Sequence, residues 1–300
     1  KINSENAFKI SVKSRELYFE IAENENIEFD LTRKGAIQIY DNAIDFEKAK
    51  LKKHWIENVG CEWTELSKDE VFEIEPALNK DKKVAGGIYT ESDASGDIHK
   101  YCVDLCKVLS SKYGVKFRFN EKVKDINGTD FPIISTDKGD IPFDKVVICA
   151  GVKTQEFRNK FRDNFRIYPV KGYSITIDLD DEISKSAAPH VSIKDDHNKI
   201  VSSRLGNRLR VAGTAELAGE NKEIREERIT PLVEWVNNCF PEVNTENIIT
   251  WAGLRPMTSD MVPIMRESKR KNVFYNSGHG HLGWTMGAFA GKFISDLIED

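Results

Sequence analysis

Hydrophobic and polar positions along the chain alternate between two periods, and the switches predict its elements. Near the start, Ala7, Ile10, Leu17 and Ile21 recur at steps of three and four with Ser14 in phase, which predicts a surface helix with one inward face. After Gly35 the period drops to two, and Ala36–Tyr40 reads as a strand. A second helix is expected over Asp45–Asn58. Ser67 followed by Glu70 forms a capping box for a short helix that Pro76 ends. Gly86–Tyr89 is a short strand leading through the polar turn Glu91–Asp97 to a helix that Asp97 caps, with Ile98, Cys102, Leu105 and Leu109 expected inside. Gly114 stops that helix, and Val115–Phe119 reads as a strand.

The middle of the chain is richer in strands. Lys122–Phe143 alternates weakly and contains Asn127-Gly128, the signature of a hairpin, so a small antiparallel meander is expected. Val146–Gly151 is continuously apolar before ending in Ala150-Gly151, as in a parallel strand buried on both faces. Ile167–Ile177, Ile200–Ser203 and Leu209–Gly213, with a turn at Gly206-Asn207, suggest one antiparallel sheet. A helix over Thr230–Cys239 would be capped by Thr230, with Pro231 at its first position. From Trp251 a loop, a strand (Asn272–Asn276), a glycine-rich turn and a helix (Trp284–Ile298) are expected. The mixture of parallel-type and antiparallel-type segments indicates two interleaved domains rather than two consecutive ones.

Composition narrows the class. The 300 residues are 40% hydrophobic and 31% charged, which excludes a disordered tail or a collagen-like repeat. No apolar stretch approaches the ~20 residues that cross a bilayer. With 44 basic and 49 acidic residues the net charge is −5, which disfavours nucleic-acid binding. The five cysteines are scattered without a CxxC pair and read as reduced thiols of a cytoplasmic protein. Cys102 and Cys106, four apart on a helix, have metal-ligand spacing, but small buried hydrophobes explain them as well and no metal is expected.

Three motifs carry chemistry. Ser277–Thr285 is a glycine-rich turn between a strand and a helix, and such a turn offers backbone N–H groups to a phosphate or to the pyrimidine edge of a flavin. A tight turn that needs glycine for φ > 0 is the competing explanation. Arg255, between Leu254 and Pro256 in Gly253–Asp260, presents a guanidinium fork suited to a carboxylate; a surface ion pair would also explain it. Tyr173, in Tyr168–Ser174, either faces a pocket or packs at a strand start. His54, His99, His190, His197 and His279 show no metal spacing.

Together, four stretches make the chain similar to a known group. Ala85–Asp97 running on to Tyr113–Val123, "IYPVKGYSITI" (Ile167–Ile177), "WAGLRPMTSDMVPIM" (Trp251–Met265) and "NSGHGHLGWTMG" (Asn276–Gly287) resemble the FAD-dependent amino-acid oxidoreductases of the D-amino-acid oxidase superfamily, and within it the bacterial D-amino-acid dehydrogenases. The resemblance implies an α/β FAD-binding domain interleaved with an antiparallel-sheet substrate domain. It divides this chain into substrate segments 1–94, with a helical lead-in, and 166–250, and FAD-binding segments 95–165 and 251–300. It implies flavin-dependent oxidation of a D-amino acid to the 2-oxo acid and ammonia. Arg255 would hold the substrate carboxylate, Tyr173 would add a hydrogen bond, and His281 would face the substrate. Val123, Ala150, Gly151, Gly253, Gly280, Leu282, Gly283, Trp284 and Thr285 would lie against the FAD. A quinone is among the implied electron acceptors, and would bring peripheral association with the inner membrane.

Two departures stand out. His281 occupies a position where the group usually carries threonine, and imidazole changes charge near neutral pH. The group's N-terminal strand–GxGxxG–helix and its acidic ribose partner are not found from Lys1 onward. Gly278 and Gly280 lie too late to supply them, so the expectation is a partial FAD-binding domain in a fragment that is inactive alone. A glycine or sarcosine-type amine oxidase and a flavin-free substrate-binding domain are the rival functions.

Overall fold

The computed structural model describes residues 2–58 and 60–299. The chain runs α1 (Ile2–Glu25), β1 (Ala36–Tyr40), α2 (Ala43–Lys50), α3 (Lys53–Glu57), β2 (Thr64–Leu66), α4 (Lys68–Ile74), β3 (Gly86–Thr90), α5 (Ile98–Ser111), β4 (Val123–Asn127), β5 (Ile133–Thr136), β6 (Asp140–Pro142), β7 (Val146–Ile148), α6 (Thr154–Phe161), β8 (Tyr168–Asp178), α7 (Glu182–Ala187), β9 (Ser192–Asp195), β10 (Ile200–Leu205), β11 (Arg208–Glu216), α8 (Glu226–Cys239), β12 (Ile248–Met257), β13 (Ile264–Glu267), β14 (Val273–Ser277) and α9 (Gly283–Glu299). It divides into two discontinuous units: Lys1–Ile27, Val103–Val170 and Leu254–Asp300 form the first, and Glu28–Cys102 with Lys171–Gly253 the second. The helical lead-in therefore falls in the first unit, apart from the segment that follows it.

In the first unit β13, β14 and β7 form one sheet, with β7 and β14 parallel, and β4–β5–β6 form the expected meander. Gly128 turns the first hairpin at φ +88. Ile126, Val146, Ile148, Ile167, Ile264, Val273 and Tyr275 make the core. Helix α1 packs on α9, where buried Ser14 accepts from the Phe289 N–H (3.3 Å) and the Tyr18 and Trp284 rings lie 4.2 Å apart. Asp163 secures the sheet. Its buried carboxylate accepts from Ser268 Oγ (2.5 Å), Tyr275 Oη (2.9 Å) and the Lys269 N–H (2.9 Å).

The second unit is built on a sheet of order β12-β8-β11-β10-β9-β1-β3-β2. It is mixed rather than wholly antiparallel, because β1 runs parallel to β9. Tyr173, Ile175 and Ile177 of β8 and Leu209 and Val211 of β11 point to one face, against Leu232, Trp235 and Val236 of α8. Trp235 Nε1 donates to Asp195 (2.9 Å), which Lys82 also meets (3.2 Å). Ser67 and Glu70 form the capping box as expected, and Asp97 caps α5 through the His99 and Lys100 N–H groups.

Several expectations change. The helix over Asp45–Asn58 is two helices, since the chain breaks between Lys50 and Lys53 with no glycine or proline to mark it. Tyr101, not Ile98 or Cys102, is the buried residue of α5, and Cys102 is exposed. Helix α8 starts a turn before Pro231, and the Thr230 hydroxyl donates to the Glu226 carbonyl instead of capping. The loop expected at Trp251 is the edge strand β12, where Pro256 needs no ladder donor. Val115–Phe119 forms no strand. Gly114 ends α5 at φ +68, the Val115 N–H returns to the Leu109 carbonyl (3.0 Å), and among the described residues no strand pairs with the segment.

Glu75 illustrates how tightly the second unit is specified. Its carboxylate is fully buried and accepts from the N–H groups of Ala77 (3.2 Å), His190 (2.6 Å) and Val191 (2.9 Å). Burial raises its pKa above the usual carboxylate range, and the three donors oppose that rise. Each buried donor left unmatched costs about 1–3 kcal/mol. Glu75→Ala is therefore expected to lower the unfolding free energy in urea by about 3 kcal/mol or more; a loss under about 1 kcal/mol would mean the donors find other partners.

Candidate functional site

Two parallel strands of the first unit end side by side. Val146, Val147 and Ile148 of β7 stand opposite Val273, Phe274 and Tyr275 of β14, so both carboxyl ends lie on one edge, where open α/β sheets hold their ligands. Beyond β7 the exposed Cys149 and Ala150 lead to Gly151 at φ +56; beyond β14 come Gly278 at φ +78 and Gly280 at φ +58. Buried side chains fix the two turns together. Thr154 Oγ1 donates to Ser277 Oγ (3.0 Å), which donates to the Gly151 carbonyl (3.2 Å). Residues 154 and 277 are far apart in sequence, and no sequence signal could have paired them.

The end of β12 joins this edge. Met257 and His279 form an antiparallel bridge, which places the strand carrying Arg255 beside the glycine turn. The glycines allow that approach: a Cβ on Gly278 would lie 2.9 Å from Thr258 Cγ2, and one on Gly280 would lie 2.7 Å from Met257 Sδ. The turn explanation holds at both positions, since these two glycines are required by the fold itself. Arg255 is half-buried, and desolvation pushes its pKa below the ordinary guanidinium value.

A short 3-10 turn, Gly280–Leu282, enters α9, whose first turn holds Gly283, Trp284 and Thr285. The first four N–H groups of a helix lack intrahelical acceptors, and the helix dipole adds roughly +0.5 of a charge there. The space for a planar or phosphate-bearing ligand is judged at two glycines. A Cβ on Gly151 would meet nothing within 4 Å, and one on Gly283 would have its nearest neighbour, His279 Cβ, at 3.8 Å. Backbone with this much open space fits close approach of a flavin. Val123 begins β4 and is exposed, as is His281. Gly253 has a local explanation, because the Trp251 ring occupies the space of its Cβ.

In the sequence His279 is one of five histidines without metal spacing. Its Nε2 is buried with no hydrogen-bond partner among the described residues, and burial lowers its pKa below 6.5. Tyr173 moves the other way. It is 1% exposed, in the core of the second unit, and its hydroxyl donates to Glu216 Oε2 (2.5 Å). Lys171 (3.1 Å) and Arg225 (3.1 Å) complete the shell around that carboxylate, and the Tyr173 hydrogen bond leads in holding Glu216 below its ordinary pKa. The hydroxyl expected to reach a substrate is therefore committed to the protein.

Comparison with known proteins gives concordant findings. Residues 2–297 match the family described as FAD dependent oxidoreductase. The chain is 44% identical over 295 residues to D-amino acid dehydrogenase 3 of Mesorhizobium japonicum, covering 97% of this chain and 71% of that protein. It is 34% identical over 303 residues to D-amino acid dehydrogenase of Neisseria gonorrhoeae, covering 100% and 71%. Among solved structures, glycine oxidase from Bacillus cereus superposes with a TM-score of 0.85 at 23% identity over 97% of this chain and 80% of that one. Glycine oxidase from Geobacillus kaustophilus gives 0.87 at 21% identity over 97% and 78%. At these identities the superpositions establish a shared fold.

Two outcomes test the site's construction. Gly278→Ala combines a left-handed backbone with the Thr258 contact, and a loss of about 1–2 kcal/mol or more is expected in chemical denaturation; an unchanged midpoint would mean the turn relaxes freely. His279 binds its proton more weakly folded than unfolded, so its contribution to stability is complete above pH 6.5 and is lost as pH falls through the lowered folded value. Tm should accordingly drop more steeply from about pH 7 to about pH 5 in the wild type than in His279→Gln; parallel curves would place the imidazole in water.

Proposed function

The chain belongs to the FAD-dependent oxidoreductase family, and on that footing we propose that it oxidises a D-amino acid to the 2-oxo acid and ammonia. Its likeness to two proteins named D-amino acid dehydrogenase supports the substrate class. The observation that carries the proposal is the Met257–His279 bridge, which sets the Arg255 strand beside the glycine turn. In this reading the first unit carries the flavin and the second the substrate-binding sheet, so the FAD segments are close to 103–170 and 254–300.

Each residue then has a physical task. Arg255 binds the substrate carboxylate through its two-pronged guanidinium and thereby fixes which face of Cα is offered for oxidation. Bound FAD would supply the two-electron oxidising chemistry. The amine loses a proton, and water hydrolyses the resulting imino acid. The N–H groups at Gly283, Trp284 and Thr285, with Gly280 before them, would meet the electron-rich edge of the ring, and Leu282, whose own N–H is taken by the His279 carbonyl (3.0 Å), would lie beside it. Ala150 and Gly151 let phosphate oxygens approach the backbone, Gly253 precedes the arginine on its strand, and the Val123 backbone meets the adenine. His281 faces the substrate, and Tyr173 takes no part. A quinone is the proposed electron acceptor, reached at a membrane surface; among the described residues no helix is long and apolar enough to cross one.

Charge-assisted hydrogen bonds of the Arg255 kind contribute about 1.5–3 kcal/mol each. In the flavin-loaded enzyme Arg255→Ala is expected to raise KM for the D-amino acid at least tenfold, with a smaller change in kcat. Dye-coupled initial rates for D- and L-isomers, run beside oxygen uptake, are the measurement. An unchanged KM would remove Arg255 from the substrate site, and oxygen consumption with glycine or sarcosine would favour an amine oxidase.

A further inference from the structure

A thioether closes the joint between the end of β12 and the glycine turn, and both sides of that joint belong to the first unit. Met257 and His279 pair through their backbones. A Cβ on Gly280 would lie 2.7 Å from Met257 Sδ and 3.4 Å from its Cε, so the end of the methionine lies over the bare Cα of that glycine. The His279 ring adds little, since its Nε2 has no hydrogen-bond partner among the described residues. The joint thus rests on one short bridge and on apolar contact with a soft, polarisable sulfur.

The four methionines of the chain differ in reach and in consequence. Met286 is buried in α9, out of reach of reagents in water. Met265 is half-buried on β13, opposite Asn276 of β14. Met261 is 42% exposed in the turn after β12, where it holds φ +62. That turn is fastened by other groups: Thr258 Oγ1 donates to the Val262 carbonyl (3.0 Å), and the Val262 N–H donates to Asp260 (3.2 Å). Met257 combines access with consequence, because it is half-buried and its sulfur closes the joint. The thiols of Cys102 and Cys149 compete for the same oxidants, but desolvation pushes both pKa values up and keeps them in the less reactive protonated form.

We propose that Met257 is an oxidation site at which hydrogen peroxide reversibly disables the functional edge of the first unit. The thioether sulfur attacks one peroxide oxygen, the O–O bond breaks, and the second oxygen leaves as water. Methionine is oxidised by two electrons to the sulfoxide, and peroxide is reduced by the same two. The product is polar and chiral where the thioether was apolar. The contact with Gly280 leaves no room for the added oxygen on that side, and an S=O held against apolar surroundings without a donor costs free energy. The side chain therefore leaves the glycine, the bridge loses its packing, and the turn into α9 is released from the Arg255 strand. Enzymatic reduction of the sulfoxide restores the contact. The proposal goes beyond the D-amino-acid reading, since it holds for whatever substrate the site takes.

The test treats the flavin-loaded enzyme with hydrogen peroxide and follows peptide masses, unfolding temperature and activity in wild type, Met257→Leu and Met261→Leu. Leucine keeps the apolar volume and forms no sulfoxide, and each variant is scored against its own untreated sample. In wild type one oxygen atom is expected on Met261 first, without effect, and then on Met257 in step with a falling unfolding temperature and falling activity. Met257→Leu should slow both losses about tenfold, and Met261→Leu should not slow them. Methionine sulfoxide reductase should restore the oxidised wild type. Losses in Met257→Leu as fast as in wild type, a wild-type loss that precedes oxygen on Met257, or recovery with dithiothreitol alone would each overturn the proposal. The wild-type time course decides the question even where a variant folds poorly. A protein that loses stability through Met257 but oxidises no D-amino acid would sink the proposed reaction and leave the oxidation site standing.

Discussion

The hydrogen-bond chain Thr154–Ser277–Gly151 decides where the site of the first unit stands. Two parallel strands bring their carboxyl ends to one edge, but each then leaves the ladder through a left-handed glycine, and nothing in strand pairing fixes the two turns relative to each other. A buried hydroxyl between them does. With Ser277 bound to the carbonyl of Gly151, the amide-bearing turn before α9 and the open backbone after β7 share one frame. The Asp163 carboxylate performs the same service one layer down, tying Tyr275 of β14 to the segment after α6. Preorganisation of this kind matters for redox chemistry on a bound cofactor, because the protein contributes orientation and fixed dipoles rather than reacting groups.

Much of the fold could be read from local chemistry. The capping box at Ser67 and Glu70, the Asp97 cap, the Asn127-Gly128 hairpin and the apolar run into Gly151 each state a backbone requirement within a few residues. Elements that depend on distant partners could not be read this way. Val115–Phe119 alternates like a strand, but a ladder needs a second chain segment alongside. The break between α2 and α3 has no local breaker, and β12 looked like a loop because Pro256 is tolerated only once an edge position is known.

The site was legible where backbone conformation carries it and obscure where side-chain partners do. Gly280, Gly283 and Gly151 were identifiable as glycines at a strand-to-helix transition, and the structure puts Gly280 and Gly151 in left-handed conformations. Tyr173 looked like a ligand-facing residue because a tyrosine at a strand start carries a polar tip. Only the fold reveals that Glu216, 43 residues on, claims that tip. Met257 carried no signal of its own. Its interest comes from the bare Cα of Gly280, which only the bridge brings beneath the thioether.

The cluster around Glu216 constrains how this protein can change over generations. One carboxylate answers to a phenol, an ammonium and a guanidinium, with Lys171 also donating to the Glu223 carbonyl. Replacing Glu216 alone would strand an ammonium and a phenol in the interior, and replacing Lys171 alone would unbalance the acid. Positions 171, 173, 216 and 225 are therefore bound to drift as a set, so that a lineage abandoning one should be found to have rewritten the others.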